Sequence, residues 1–168
     1  MQMTDLATVE VWKELERFIY ENYTLNGRAY DHEGKVFTGQ VLWCNRFCPA
    51  VRSNPAALSA VCAAAHQNMA GQAQAEGGSV IGECDLGLYK IVVPVIVSGK
   101  FLGAVGGCGR LPENGSVDAF AAEKIAGLSG QQLNELNTSL TRMTRSEAQE
   151  LADALAAKIA DLTKSATL

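Results

Sequence analysis

Residues 79–109 read SVIGECDLGLYKIVVPVIVSGKFLGAVGGCG, and this stretch decides the fold. Three apolar runs, Ser79 to Glu83, Tyr89 to Val97 and Phe101 to Gly107, are separated by turn-forming residues and read as strands. The linker Ser98-Gly99-Lys100 is short enough to make the last two an antiparallel hairpin. Pro94 cannot donate to a ladder, so it belongs at an edge or a bulge. The apolar stretch from Ile91 to Cys108 is interrupted by Pro94, Ser98-Gly99 and Lys100, and it falls short of the ~20 apolar residues a membrane span needs.

Working upstream, Asn54-Pro55 supplies a cap and a first-turn proline, and Gly77-Gly78 a stop, for one long helix. No charged residue lies between Arg52 and Glu76, and the segment is rich in alanine. Such a helix has no ordinary solvated face, so it is expected to lie buried against a sheet or a partner copy. Val9, Trp12, Leu15, Phe18, Ile19 and Tyr23 recur at helical spacing and predict an amphipathic helix over 8–23. Between these helices, Asp31-His32-Glu33-Gly34 separates strand-prone residues and predicts a short hairpin over 26–37. Downstream, Ser116 can cap a helix from Val117 to Leu128, Gln131 to Leu140 gives a second, and Ser146-Glu147-Ala148-Gln149 reads as a capping box for a final one. In that last helix Leu151, Leu155, Ile159 and Leu162 form a narrow stripe, suited to packing on the domain or to a dimer seam. The order predicts an α+β fold: a five-stranded antiparallel sheet flanked by helices, as in PAS-like and GAF-like domains, with a C-terminal helix.

The chain has 168 residues, 48% of them hydrophobic, which supports one domain with a real core and excludes a disordered chain. A formal net charge of −4 with no clustered basic face argues against nucleic acid. Met1-Gln2-Met3-Thr4-Asp5-Leu6 has no basic start and no apolar h-region, so a signal peptide is not expected and the chain reads as cytoplasmic, away from membranes. In that compartment the five cysteines, Cys44, Cys48, Cys62, Cys84 and Cys108, are reduced thiols or metal ligands, since disulfides are disfavoured and an odd count cannot pair completely.

No two cysteines have the spacing of a zinc knuckle, so they meet only through the tertiary fold. Cys48 precedes the long helix, Cys62 lies within it, Cys84 ends one strand and Cys108 ends another. His66 follows Cys62 at i+4, on the same face of a regular helix. Soft thiolates with one imidazole suit zinc or an iron–sulfur cluster, while the bland alternative is cysteine as a small buried hydrophobe. Cys44 is either a spare ligand or packing. The segment Gly103 to Gly109 lacks the Gly-Lys-Ser/Thr of a phosphate loop, so its glycines mark a bulge or a close backbone approach. Nucleophilic catalysis has little to work with: His32 and His66 are the only imidazoles, and a Cys62–His66 pair has no evident third orienting group.

Phe47-Cys48, Cys62, Cys84-Asp85-Leu86-Gly87-Leu88, Val93-Pro94-Val95 and Gly99-Lys100-Phe101-Leu102-Gly103 together resemble the PocR-type sensory domain. The resemblance covers about residues 8–140 and assigns 1–144 to a sensory domain and 145–168 to a separate amphipathic helix. It implies a PAS-like fold and non-enzymatic sensing of small molecules, such as simple hydrocarbon derivatives, in prokaryotic signalling. Two positions depart from the family pattern: Asp85 stands where a histidine is common, and Gly107-Cys108 where Gly-Gln is common. The second departure adds a thiol facing the expected pocket. The resulting expectation is a cysteine-lined site of Cys48, Cys62, Cys84 and Cys108, with Gly87 and Gly107 beside the ligand and His66 or Cys44 as further metal ligands. Its occupant is a small ligand or a cofactor, zinc or an iron–sulfur cluster. Family members are often fused to output modules; none is visible here, so the chain acts through an output partner, with homodimerisation a further expectation, or is an excised domain. A structural zinc domain and a cysteine-dependent enzyme are the alternatives.

Overall fold

A computed structural model describes residues 1–165. Helix α1 (Met3–Leu6) is followed by α2 (Val9–Tyr23), whose Thr8 cap accepts from the Val11 amide, and Trp12 locks the two together by donating Nε1–H to the Met3 carbonyl at 3.0 Å. Strand β1 (Asn26–Asp31) and a long loop lead to α3 (Phe47–Arg52). The expected long helix starts where its cap predicts, with Asn54 Oδ1 accepting from the Ala56 and Ala57 amides, and it ends on left-handed Gly77. It is not regular throughout. Between α4 (Pro55–Ala57) and α5 (Ala64–Glu76) lies a π-helical segment, Leu58–Ala63. Strands β2 (Val80–Glu83), β3 (Tyr89–Val97) and β4 (Lys100–Cys108) follow as predicted. The chain then forms β5 (Leu111–Pro112), α6 (Ala119–Ala126), α7 (Gly130–Asn137), β6 (Arg142–Met143) and α8 (Arg145–Ser165).

The main sheet has four antiparallel strands in the order β1-β4-β3-β2, not five. The missing strand is the return limb of the hairpin expected over 26–37, which makes a single bridge, Tyr30 to Val36. Two interactions pull it away. Asp31 Oδ1 accepts from the Glu33 and Lys35 amides, closing a tight turn, and the chain beyond is drawn to the buried Glu16 carboxylate by Thr38 Oγ1 (2.9 Å to both oxygens) and Gln40 Nε2 (3.0 Å). Burial raises the Glu16 pKa despite these donors. The β3–β4 turn places Ser98 (φ 50°) and Gly99 (φ 77°) in the left-handed region, as a two-residue hairpin requires. Pro94 lies past the last β2 pair, one residue before the irregularity at Val95/Ile96, so β2 never needs its missing N–H. Strands β5 and β6 form a separate parallel pair.

Side chains alternate across the sheet and give it two apolar faces. Ile91, Val93, Val95 and Val105 pack under α2 and α8, joined by Trp12, Ile19, Leu151 and Leu155. Val92 and Ala104 face α5, against Met69, Ala70 and Ala73. The stripe of α8 is therefore spent inside the chain. A third cluster gathers α3, the π segment, α6 and α7 around Leu86, Leu88 and Leu111 as a helical lobe beside the sheet. Two caps differ from expectation: α6 is capped by Asp118, not Ser116, and the box opening α8 is formed by Thr144 and Glu147, not Ser146. The result keeps a broadly PAS/GAF-like plan, a mixed fold with helices on both faces of an antiparallel sheet.

Glycine positions provide a test of this packing. A Cβ on Gly106 would meet the Ile91 carbonyl oxygen, whereas one on Gly71, on the exposed side of α5, meets nothing within 4 Å. Gly106→Ala is expected to destabilise by about 3 kcal/mol or more, and Gly71→Ala to stabilise by about 0.5–1 kcal/mol. Urea unfolding of the two variants checks both signs.

Candidate functional site

The ladder places Asn26, Cys108 and Lys90 side by side on three adjacent strands. Alternation then brings Arg28 and Tyr30 onto the same face as Asn26, and Lys90 onto the same face as Val92. At this end of the sheet α5 has given way to the π segment and α3, and the gap between sheet and helical lobe is a cavity of about 50 Å³. Four thiols line it: Cys48 from the first turn of α3, Cys62 from the π segment, Cys84 from the β2–β3 loop and Cys108 from the end of β4. They come from four separate elements. Trp43, Phe47 and Leu86 fill the remaining wall.

Hydrogen bonds hold the segments that carry Cys48, Cys84 and Cys108. The Asn45 side chain is the main clamp: its Oδ1 accepts from the Cys48 amide at 2.7 Å, and its Nδ2 donates to the Gly109 carbonyl at 2.8 Å and reaches the Cys44 and Cys48 sulfurs at 3.4 Å each. Cys84 sits in a tight turn, its amide bonded to the Leu88 carbonyl and its own carbonyl to the Gly87 amide, both at 2.9 Å. Asn26 Nδ2 approaches Cys108 Sγ at 3.9 Å. Burial pushes the Cys84 thiol up to about 11 and also raises those of Cys48 and Cys62. Among the described residues, no three Cys, His, Asp or Glu side chains lie close enough together to hold a metal ion.

The charged side chains that line the cavity are all positive. Lys90, Arg28 and Arg52 line the cavity and no carboxylate does. Lys90 is 6% exposed and lies 5.4 Å from the Tyr30 ring centroid, and Arg28 is 7% exposed with its guanidinium 5.2 Å from the Trp43 ring centroid. Burial pulls the Lys90 pKa down, but Tyr30 and the thiols of Cys108, Cys62 and Cys84 outweigh it, and the net direction is up. The sequence reading missed this cationic wall. Its legible traces were a lysine at the head of an otherwise apolar strand and the alternation of Asn26, Arg28 and Tyr30 along β1.

Four other expected residues lie elsewhere. Gly107 is on the opposite face of β4, where a Cβ would meet Ile19 and Leu25, because it is one residue out of phase with Cys108. Gly87 (φ 90°) makes the turn after Cys84 and abuts the Ser116 carbonyl. Cys44 sits behind the cavity, its sulfur within 3.9 Å of the Cys108 carbonyl, and burial raises its pKa to about 11. His66 is stacked on Tyr30, with ring centroids 3.6 Å apart. The i+4 offset fails because Cys62 lies in the π segment, whose wider turn rotates the residues after it to a different face.

The chain matches the family described as the sensory domain found in PocR over residues 5–167, a span that includes the C-terminal helix. It belongs to that family. No curated protein and no solved structure matches it. Sensing by a PocR-type domain implies a small-molecule ligand. Among the described residues no helix is long and apolar enough to cross a membrane.

In this PocR-type domain His66 also couples the site to pH. It is 4% exposed, its Nδ1 is buried without a hydrogen-bond partner, and burial, reinforced by Lys90, pushes its pKa down to about 3. Between pH 6.5 and 3 the unfolded state therefore binds the proton and the folded state does not, so this contribution to stability is lost as pH falls through that window. The expected loss reaches roughly 4 kcal/mol at its acid end. Comparing urea midpoints at pH 7 and 4.5 for the wild type and His66→Phe, which keeps the stacking on Tyr30, isolates it: the wild type should lose more than the variant.

Proposed function

We propose that this domain is a non-enzymatic cytoplasmic sensor whose cavity holds a thiolate-ligated metal group, zinc or an iron–sulfur cluster, on Cys48, Cys62, Cys84 and Cys108. One observation carries the reading: four thiols from four separate elements line one small cavity. Scattered structural cysteines have no reason to converge in this way. The donor set is soft and contains no hard oxygen ligand, which suits zinc or iron–sulfur chemistry rather than calcium or magnesium. The volume suits a compact occupant.

The thiols share the cavity without meeting ligand geometry, so loading has to draw α3, the π segment, the β2–β3 loop and the end of β4 inward. That closure is the proposed signal. Occupancy favours a closed arrangement of lobe on sheet, and an output partner reads the difference. A cysteine-dependent enzyme fits less well, because a nucleophilic thiol requires a depressed pKa, while burial raises those of Cys48, Cys62 and Cys84.

Anaerobic purification, followed by absorption spectroscopy and metal and sulfide analysis, tests the reading. About one metal centre per chain is expected, lost in Cys62→Ser and in Cys108→Ser and retained in Cys44→Ser. Stoichiometric zinc that never leaves without unfolding the protein would identify a purely structural site. A protein that stays metal-free after anaerobic incubation with zinc, or with iron and sulfide, would overturn the proposal.

A further inference from the structure

We infer that Lys90 is the counter-ion of this cavity, the residue that favours an occupied site of net negative charge, counted over the occupant and the thiolates that hold it. The inference rests on the cavity being the binding site and deepens the proposed function by stating what net charge the occupied site must carry. Lys90 is the direct cross-strand partner of Cys108, so their side chains leave the sheet as neighbours on the cavity face. The residue is 6% exposed, and no carboxylate of the described residues forms an ion pair with it. Its aromatic neighbour, Tyr30, recovers only a fraction of the cost of burying a cation.

The rest of the wall deepens the imbalance. Arg28, 7% exposed, spends one guanidinium nitrogen on the Gln40 carbonyl at 2.8 Å and lays its plane near Trp43, and Arg52 approaches the same indole at 5.7 Å. Three cations thus face a cavity with no acid in its lining. A divalent metal on four thiolates carries two net negative charges, and so does an iron–sulfur core of charge two plus on the same ligands. Either dianion is the complement of this wall. A small carboxylate brings negative charge by itself, without thiolates; a neutral alcohol or hydrocarbon leaves Lys90 unpaired.

Lys90→Met, close in volume and without the charge, and Lys90→Arg, which keeps it, test the assignment. Binding of zinc and of cobalt(II) is measured at fixed pH and salt against a chromophoric chelator. Lys90→Met should weaken it by about tenfold or more, and Lys90→Arg should stay within about threefold of wild type. Without metal, Lys90→Met should melt higher than wild type, because it removes an unpaired buried charge. A lower melting temperature would show that Lys90 holds the fold together and would overturn the assignment. Equal metal affinity in wild type and Lys90→Met would overturn it too, with the metal reading intact. In a parallel arm, the melting temperature is followed with acetate, propionate and succinate and with the matching alcohols. Stabilisation by a carboxylate alone, abolished in Lys90→Met, in a protein that takes up no metal, would keep Lys90 as counter-ion and discard the metal. Binding of neither metal nor carboxylate would overturn the inference, as would stabilisation by the alcohols equal to that by the acids.

Discussion

Lys90 stands opposite Cys108 in the β3–β4 ladder, and that register governs both faces of the sheet. Because successive side chains point to opposite sides, it sends Ile91, Val93, Val105 and Gly107 toward α2 and α8, and Lys90, Val92, Ala104 and Cys108 toward α5 and the cavity. A slip by one residue would bury a lysine beneath Trp12 and carry the Cys108 thiol out of the site. Shape on both faces guards against this. Gly106 lies so close to the Ile91 carbonyl, and Gly107 to Ile19 and Leu25, that neither tolerates a side chain where it stands. The glycine-rich end of β4 serves close packing, and as a consequence it sets Cys108 beside the cations.

The second determinant is the small-residue helix. Its alanines let α5 lie close on Val92 and Ala104, but the helix is buried on one side only: Gln67, Asn68, Gly71, Gln72, Gln74 and Ala75 form an exposed face whose polarity comes from amides rather than from formal charge. Its irregularity matters as much as its composition. A π segment widens the helix where Val61 and Cys62 reach the cavity, then returns to α geometry before His66 stacks on Tyr30. Such segments are rare because their hydrogen bonding is poorer, and they recur at functional sites. Here the π segment gives Cys62 a place at the cavity while the following turns keep their registration against the sheet.

Most of the secondary structure was legible because it rests on local chemistry: the Asn54-Pro55 start, the Gly77 stop, the Ser98-Gly99 turn and the apolar runs of β2 to β4 all act within a few residues. The expectation that Cys48, Cys62, Cys84 and Cys108 share a site drew on the family pattern for the first three and on the place of Cys108 at a strand end, where it departs from that pattern. What escaped depended on contacts distant in sequence. The hairpin over 26–37 failed because Glu16, on another element, captures Thr38 and Gln40. His66 was misplaced because a π segment leaves no mark in hydrophobic periodicity. Gly107 was one position out of phase, a distinction only the register resolves. Lys90, Arg28 and Arg52 were invisible as a group, since each sits alone in its segment and only the tertiary fold gathers them.

The division of the core suggests how such a site reports on its contents. On one face α2 and α8 are fixed to the sheet by large buried side chains, Trp12, Ile19, Leu151 and Leu155. On the other, the helical lobe meets the cavity through the apolar side chains of Phe47, Val51, Val61, Leu86 and Leu88, with Asn45 as the polar tie between the start of α3 and the end of β4. Buried cations raise the free energy of the protein whenever no anion answers them, and an occupant of opposite charge removes that cost only to the extent that the lobe closes around it. A ligand shifts a conformational equilibrium by no more than its differential affinity for the two states. Concentrating charge at the junction between sheet and lobe makes that difference large, and assigns the movement to α3, the π segment, the β2–β3 loop and the end of β4 rather than to α2 or α8.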